Sequence, residues 1–569
     1  MQIDLDVGIP MDDGATLRAD IYRPAEGQHP VLLSYGPYAK GLPFQVGYPD
    51  QWNRMVTAHP DVSWGSSNQY QNWEVVDPEK WVPEGYVCVR VDSRGAGRSA
   101  GLIDPFSPRE TRDLYECIEW AAVQPWSSGK VGLNGVSYYG INQWHVASLQ
   151  PPHLAAMCVW EGAADFYRDM THHGGILCTF FANWYDRQVK TVQYGLGSQG
   201  PSVSMNGLNV CGDAELGITQ LEANRTDFGN EIAAHPFDDT YHHNRSPAFQ
   251  HITTPLLSAG NWGGHGLHLR GNVEGFMGVS SKHKWLEIHG LEHWTHFYTD
   301  YGRELQLEFF DHFLKDIDNG WNRRPPVILN VRHLEHFERR EADSWPLPGT
   351  VWTRLHLQSD ARLEPAPAAH EWKLEYAAPG GGITFCTQPF DDETEITGPV
   401  SARLWVSSST EDLDLFLVLR LFDPDGEEVT FQGALDPRSP LAHGWLRASH
   451  RRLDQSRSTP WRPYHTHTEY QPLRPDEVYE LEVEIWPTSI VAPRGYRIGL
   501  SVRGNDYRYD GSAPGDSIST FKNPFTGVGP FLHDDPGDRP TGVFGGITTI
   551  HGGPVHDSSV LLPFIPRNR

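Results

Sequence analysis

Short apolar runs and amphipathic segments alternate through the first third of the chain. "ADIYRP", "HPVLLSYG" and "GYVCVRVDSRG" read as strands, the last near Val87 to Asp92. "RETRDLYECIEWAAVQP" places Leu114, Ile118, Ala121 and Ala122 at helical spacing, and the strand-like "KVGLNG" follows. Apolar strands alternating with helices predict a parallel α/β sheet buried on both faces. "LAAMCVWEG" is a further strand, after which the texture changes. From Phe166 to Pro247 the chain is rich in Gly, His, Asn and aromatic residues, with helical pieces such as "TFFANWYDRQVKTVQ", and reads as an inserted helical cap. The α/β pattern resumes at "TPLLSAGNWGG" and "KHKWLEIHGLEH". It closes with the helix "GRELQLEFFDHFLKDI", whose apolar stripe is Leu305, Phe309, Phe310 and Phe313.

Beyond Pro325 helical spacing nearly vanishes. Apolar residues alternate in "VSARLWV" (Val400, Ala402, Leu404, Val406), in "YELEVEI" (Leu481, Val483, Ile485) and in "YRIGLSVRG" (Ile498, Leu500, Val502). "FDPDGEEV" supplies a turn through Pro424 and Gly426. Half-buried strands separated by loops predict a jelly-roll β-sandwich. The expected division is residues 1–165 and 248–320 for the two parts of the α/β domain, 166–247 for the cap, and 325–569 for the β-domain. A chain of 569 residues is in any case too long for one compact core.

Composition narrows the partners. A formal net charge of -26 disfavours nucleic acid and anionic membrane surfaces, and no run of about 18 apolar residues predicts a membrane span. The start "MQIDLDVGIPMDDG" has neither a basic nor an apolar stretch of a secretion signal. Six scattered cysteines without a CxxC pair predict reduced, buried thiols and a cytoplasmic location. Twenty tryptophans suit an aromatic-lined pocket.

The chemistry centres on "KVGLNGVSYYGINQW", where Ser137 stands two residues after Gly135 and three before Gly140. The usual esterase elbow has its second glycine two residues after the serine, where this chain has Tyr139. Gly-x-Ser alone is common, but here a strand precedes it and a helix-compatible run follows inside a parallel-sheet pattern. That setting predicts a nucleophile.

Several blocks together resemble the cocaine-esterase/X-Pro dipeptidyl-peptidase-type (CocE/NonD) serine hydrolases over nearly the whole length. They are "IPMDDGATLRADIYRP", "VRVDSRGAGRSAG", "IEWAAVQPWSSGKVGLNGVSYYG" with its Ser-Tyr pair and shifted glycine, "ADFYRD" at the cap entrance, and "IHGGPVHDSSVLLPFIP" near the end. The resemblance implies an α/β-hydrolase fold with a cap and a C-terminal jelly roll, working through an acyl-enzyme without cofactor or metal. Acyl transfer needs donors at the developing oxyanion, worth about 3–4 kcal/mol each. One is expected from the N–H of Tyr138. The family's tyrosine hydroxyl maps to Tyr38 in "LLSYGPYAKG", and its catalytic histidine to His293, flanked by His289 and His296 in "EIHGLEHWTHFYTD". The pairs His172-His173 and His242-His243 look like metal ligands, yet no HExxH, Cys/His spacing or carboxylate set accompanies them.

The family's acid, an aspartate in a Gly-x-aromatic-Asp turn, is missing: in "PLLSAGNWGGHG" Gly263 follows Trp262. Glu161, at the end of the preceding strand in "CVWEGAADFYRD", is the leading substitute, with Asp165 (a helix-capping residue by its place at the cap entrance) and Glu274 as further candidates. A Ser–His dyad and a catalytically silent ligand-binding homologue stay open beside it. The expected activity is hydrolysis of a small-molecule ester or amide, with X-Pro dipeptidyl-peptidase or α-amino-acid ester hydrolase as the alternative. Phe180, Phe181, Trp184 and Tyr185 of the cap favour an apolar acyl group or simply pack the cap. Homo-oligomer formation is left open by the sequence.

Overall fold

A computed structural model describes residues 1–511 and 527–566; residues 512–526 and 567–569 of the expected C-terminal domain lie outside the described residues. The N-terminal part is built on a ten-stranded sheet. Its strands are β1 (Gln2–Pro10), β2 (Thr16–Arg23), β3 (His29–Gly36), β4 (Val87–Asp92), β5 (Ser127–Val136), β6 (Leu154–Trp160), β7 (Leu256–Asn261), β8 (Lys284–His289), β9 (Val327–Arg332) and β10 (Phe337–Ala342). They lie in the order β1-β2-β4-β3-β5-β6-β7-β8-β9-β10. From β4 through β9 neighbours are parallel, and antiparallel pairs close each edge.

The crossovers are helices α1 (Pro108–Ala122), α2 (Tyr138–Ala147), α3 (Leu269–Gly278) and α4 (Asp300–Leu314). Local chemistry sets their starts. Ser107 caps α1 by accepting the Glu110 N–H, with Pro108 at the first helical position. Thr299 caps α4 by accepting the Gly302 N–H. Leu114, Cys117, Ile118 and Ala121 of α1 join the core on one face of the sheet, and Leu305, Phe309, Phe310 and Leu314 of α4 join that on the other. Both faces are thus covered, and β3 to β8 are buried almost throughout, which is why they read as continuous apolar runs.

Three departures from the sequence reading bear on the site. First, β9 and β10 extend the α/β sheet, so the change of sheet comes only after Ala342. The alternation of strand residues is the same in either sheet; only pairing decides which one they join. Second, the 37–86 segment between β3 and β4 is an insertion with helical pieces at Phe44–Gly47, Pro49–Ala58 and Pro78–Trp81, which periodicity did not single out. Third, the cap between β6 and β7 consists of short helical turns and a hairpin pairing His172–His173 with Ile176–Leu177, with no long helix among its described elements.

The C-terminal β-domain is one 12-stranded sheet of antiparallel pairs that is nearly closed on itself. The long strands Thr394–Ser408 and Tyr479–Ala492 pair at its centre. Leu404, Val406, Leu481, Val483, Leu500 and Val502 turn inward to its core. No helix among the described residues is long and apolar enough to cross a membrane. All six cysteines are free, five of them buried.

Buried charge fastens the cap to the β-domain. Arg168 Nη1 lies 2.6 Å from Asp238 and 3.0 Å from Asp165, and its Nη2 donates to the His465 carbonyl at 2.7 Å. Removing one partner of a buried ion pair typically costs about 3–5 kcal/mol, because the other charge is left without compensation. Arg168→Met is expected to lower the melting temperature by several degrees and to hasten proteolysis within the cap. An unchanged melting temperature and digestion pattern would show that the cluster does not hold the cap down.

Candidate active site

Ser137 follows β5 directly and precedes α2. Its backbone adopts φ 59°, ψ -117°, a region costing about 1–3 kcal/mol for a residue with a side chain. The strain is held from two sides. The Ser137 N–H donates to the Trp160 carbonyl of β6 at 3.0 Å, and its own carbonyl accepts from Gly140 and Ile141 at 2.8 and 2.7 Å. The two glycines are there for space. A Cβ at Gly135 would meet the Glu74 carbonyl oxygen at 3.2 Å and Tyr139 Cβ closer still. One at Gly140 would come within 2.9 Å of the Trp160 carbonyl oxygen. The shift of the second glycine thus follows from α2 pressing on the end of β6, while Tyr139, at the usual glycine position, lays its ring against Gly36.

Glu161 is the first residue after β6. It is fully buried, with a left-handed backbone at φ 44°. Its Oε2 lies 2.8 Å from His293 Nδ1, and its Oε1 accepts from His289 Nε2 at 3.1 Å and from Asn261 Nδ2 at 3.0 Å. His293 sits in the loop after β8, its N–H bound to the Ala434 carbonyl of the β-domain at 3.0 Å. His289, the last residue of β8, lies between two carboxylates, with Nδ1 2.7 Å from Glu287 Oε2.

Burial would push the Glu161 carboxyl up. The His293 charge and hydrogen bonds from both imidazoles outweigh it and hold the group well below the usual carboxylate range. Burial likewise opposes charge on His293, but Glu161, then Glu74, raise it to about 10. For His289 the Glu287 and Glu161 carboxylates overcome burial and raise it to about 9.

The turn at Gly263 has no room for a carboxylate side chain. A Cβ there would fall 2.8 Å from Ala434 N and closer to Gly433 Cα, so the β-domain loop fills the space that the turn's side chain would need. Asn261 stands on the same turn and donates to Glu161. The other acid candidates lie apart. Asp165 caps the Phe166–Thr171 turn and pairs with Arg168, and Glu274 pairs with Arg462. His296 hydrogen-bonds Thr299 at 3.4 Å, and burial pushes it down to about 3.

Ser137, His293, Tyr38 and Tyr138 line one cleft of about 540 Å³, its mouth included. Tyr38 Oη accepts the Trp184 Nε1–H at 3.0 Å, which leaves its own proton to donate, and burial keeps it protonated. The Tyr138 N–H heads α2, where the first N–H groups have no partner within the helix. The Tyr138 hydroxyl is turned away, onto buried Glu110. Tyr48, Trp73, Phe106, Phe180, Phe181 and Trp184 make the walls mostly aromatic, and Leu435 of the β-domain closes one side.

Three participants were not singled out from the sequence: His289 as a second imidazole on Glu161, Leu435, and Glu74. Glu74 Oε1 lies 2.9 Å from His293 Nε2. Its signal was an acid set among Trp73, Val75 and Val76, all buried. Of the histidine pairs in the cap, His172 stacks on Tyr167 and His242 meets the same ring edge-on, while His243 faces Asp238 at 3.2 Å. His173, Cys178 and His533 are the one group of potential metal ligands close together among the described residues. There His173 Nδ1 lies 2.8 Å from His533 Nε2, and His533 Nδ1 the same distance from Asp506.

A carboxyl whose folded value is depressed stabilises the fold fully above its unfolded value, near 4.5, and that contribution is lost as pH falls through the folded value. Glu161→Gln is therefore expected to flatten the loss of stability as pH falls from about 5 toward about 2, read as guanidinium midpoints. An acid slope equal to that of the wild type would contradict the buried, ionised Glu161.

Residues 13–298 match the X-Pro dipeptidyl-peptidase (S15) family, and residues 319–561 its C-terminal non-catalytic domain. The chain is 25% identical to the cocaine esterase of Rhodococcus sp. (strain MB1 Bresler), over 99% of this chain and 98% of that protein. It is similar to a CocE/NonD family hydrolase structure from Staphylococcus aureus, with 32% identity, a TM-score of 0.83 and coverage of 99% and 94% of the two chains. The fold also matches an aminopeptidase of Thaumarchaeota archaeon at 18% identity and TM-score 0.69, over 99% and 96%. A catalytic-domain match over half the chain, joined to full-length likeness to a CocE/NonD hydrolase, places this α/β-hydrolase with its C-terminal β-domain in the X-Pro dipeptidyl-peptidase (S15) family, among the CocE/NonD serine hydrolases.

Proposed function

We propose that the protein hydrolyses carboxylic esters through an acyl-enzyme on Ser137, with His293 as base and Glu161 as the orienting acid. The observation that carries this reading is the 2.8 Å contact of Glu161 with His293 Nδ1, in a cleft that the strained Ser137 also lines. Ser137 Oγ attacks the ester carbonyl while His293 Nε2 takes its proton and then delivers it to the leaving alcohol. Glu161 fixes the Nδ1–H tautomer and stabilises the imidazolium. The Tyr38 hydroxyl and the Tyr138 N–H meet the oxyanion. Water then repeats the sequence on the acyl-enzyme. The geometry gives the histidine a carboxylate partner, which favours a triad over the dyad.

The aromatic walls favour an ester with an apolar acyl or alcohol part. Cleavage of X-Pro peptides, which the matched family's name describes, is the second reading. A parallel screen of aryl esters and X-Pro anilides separates the two: turnover of esters alone is expected, and turnover of anilides alone would replace the ester reading.

A fluorophosphonate should label the wild type and not Ser137→Ala. Glu161→Gln is expected to lower kcat by about 10³–10⁴, as in other triads, and Tyr38→Phe by about 10²–10³. Near-wild-type turnover in Glu161→Gln would return the choice to a dyad.

A further inference from the structure

The atom that must receive the Ser137 proton, His293 Nε2, is already engaged: Glu74 Oε1 lies 2.9 Å from it. With Nδ1 on Glu161 at 2.8 Å, the ring is held between two carboxylates, and its face stacks on His268 with centroids 4.8 Å apart. A nitrogen that shares a proton with a carboxylate oxygen has no lone pair to offer a serine. With Ser137 and His293 read as nucleophile and base, proton transfer between them requires Nε2 to be free of Glu74.

Glu74 is built into this place. It is 2% exposed, with a left-handed backbone at φ 63°. Its carbonyl accepts the N–H of Val136, the residue before the serine, at 3.0 Å. The missing side chain at Gly135 lets the two segments approach that closely. The second oxygen, Oε2, is buried toward the Trp73 indole without a hydrogen bond of ordinary geometry. An ionised oxygen left so is costly.

We propose that Glu74 is a positioning residue that clamps His293 Nε2 in the resting enzyme, so that His293 serves Ser137 only after the Glu74–His293 pair has lost a proton and Glu74 has swung aside. The proton leaves to solvent through the mouth of the cleft. Neutral His293 keeps its Nδ1–H on Glu161, and its Nε2 lone pair then repels the Glu74 carboxylate. That side chain turns into the cleft, and the Ser137 O–H takes its place at Nε2. No covalent bond other than the one to the departing proton is broken.

The ionisable groups around the pair agree with a proton-bound resting state. Glu161 and His289 lie behind His293, and His268 on its face. Tyr38, Tyr48, Tyr139 and Tyr298 surround Glu74, all kept neutral by burial, with Arg90 beyond the last two. Burial raises Glu74 itself to about 7, against the hydrogen bond from His293.

The inference rests on the reading of Ser137 and His293 as nucleophile and base. It is tested by the pH dependence of fluorophosphonate labelling, because the probe needs the nucleophile and base but no particular substrate. In the wild type the acid limb should lie above the value of about 6.5 of an ordinary imidazole. In Glu74→Gln the neutral amide no longer favours the imidazolium, so the limb should move down by about one pH unit or more, seen as at least about tenfold faster labelling near the foot of the wild-type limb. Glu74→Asp, whose shorter side chain withdraws the carboxylate, should move it the same way if Glu74→Gln does not fold. Wild-type labelling with a limb unmoved in both variants would overturn the clamp alone, as would labelling lost at every pH in a folded Glu74→Gln. A slowing confined to cationic substrates with the limb unmoved would also overturn it. A wild type that labels at no pH would instead overturn the serine-hydrolase reading beneath it.

Discussion

A fully buried carboxylate holding two imidazoles is the interaction on which the rest of this site depends. Glu161 lies where β6 ends, His293 and His289 where β8 ends, and Asn261 between them where β7 ends. An isolated carboxylate at that depth would shed its charge by taking up a proton. Here three contacts from the ends of the two neighbouring strands, β7 and β8, keep it ionised, so the site exists only when β6, β7 and β8 are in register. The same end of β6 also pins the elbow through the Trp160 carbonyl, so that Ser137 and Glu161 are held at one strand terminus.

The β-domain enters this arrangement as a wall. Its loop at Gly433–Ala434 occupies the space beside Gly263 and fixes the main chain of His293, and Leu435 closes the cleft. The absence of a side chain at 263 and the seat of that loop are therefore one fact seen from two sides. The cap aromatics stand on the other side, so the cleft walls are mostly apolar rings. Low dielectric acts in both directions: it strengthens the donors proposed for the oxyanion, Tyr38 and the Tyr138 amide, and it tightens the hold of Glu161 and Glu74 on the histidine between them.

Much of this was legible because it rests on local rules. The period of apolar residues separated parallel sheet, cap and β-domain. The Gly135-Ser137-Gly140 spacing between a strand and a helix marked the tight turn, and the family resemblance pointed to the histidine block after an apolar strand. Residues whose meaning depends on pairing were not legible. Val327–Arg332 and Phe337–Ala342 alternate like any strand, and only hydrogen bonding assigns them to the α/β sheet. His289 reads as a strand residue until Glu161 and Glu287 are seen on its two nitrogens.

The sequence by itself determined the elbow, the fold class and the absence of an aspartate at 263. It put Glu161 ahead of Asp165 and Glu274, which carry the same carboxyl group. Only the tertiary structure shows which of them meets the histidine, since what a carboxylate does depends on what lies within about 3 Å of it. Asp165 faces Arg168, Glu274 faces Arg462, and Glu161 faces His293. The same reason hid Glu74, some sixty residues before Ser137 along the chain and yet hydrogen-bonded to His293.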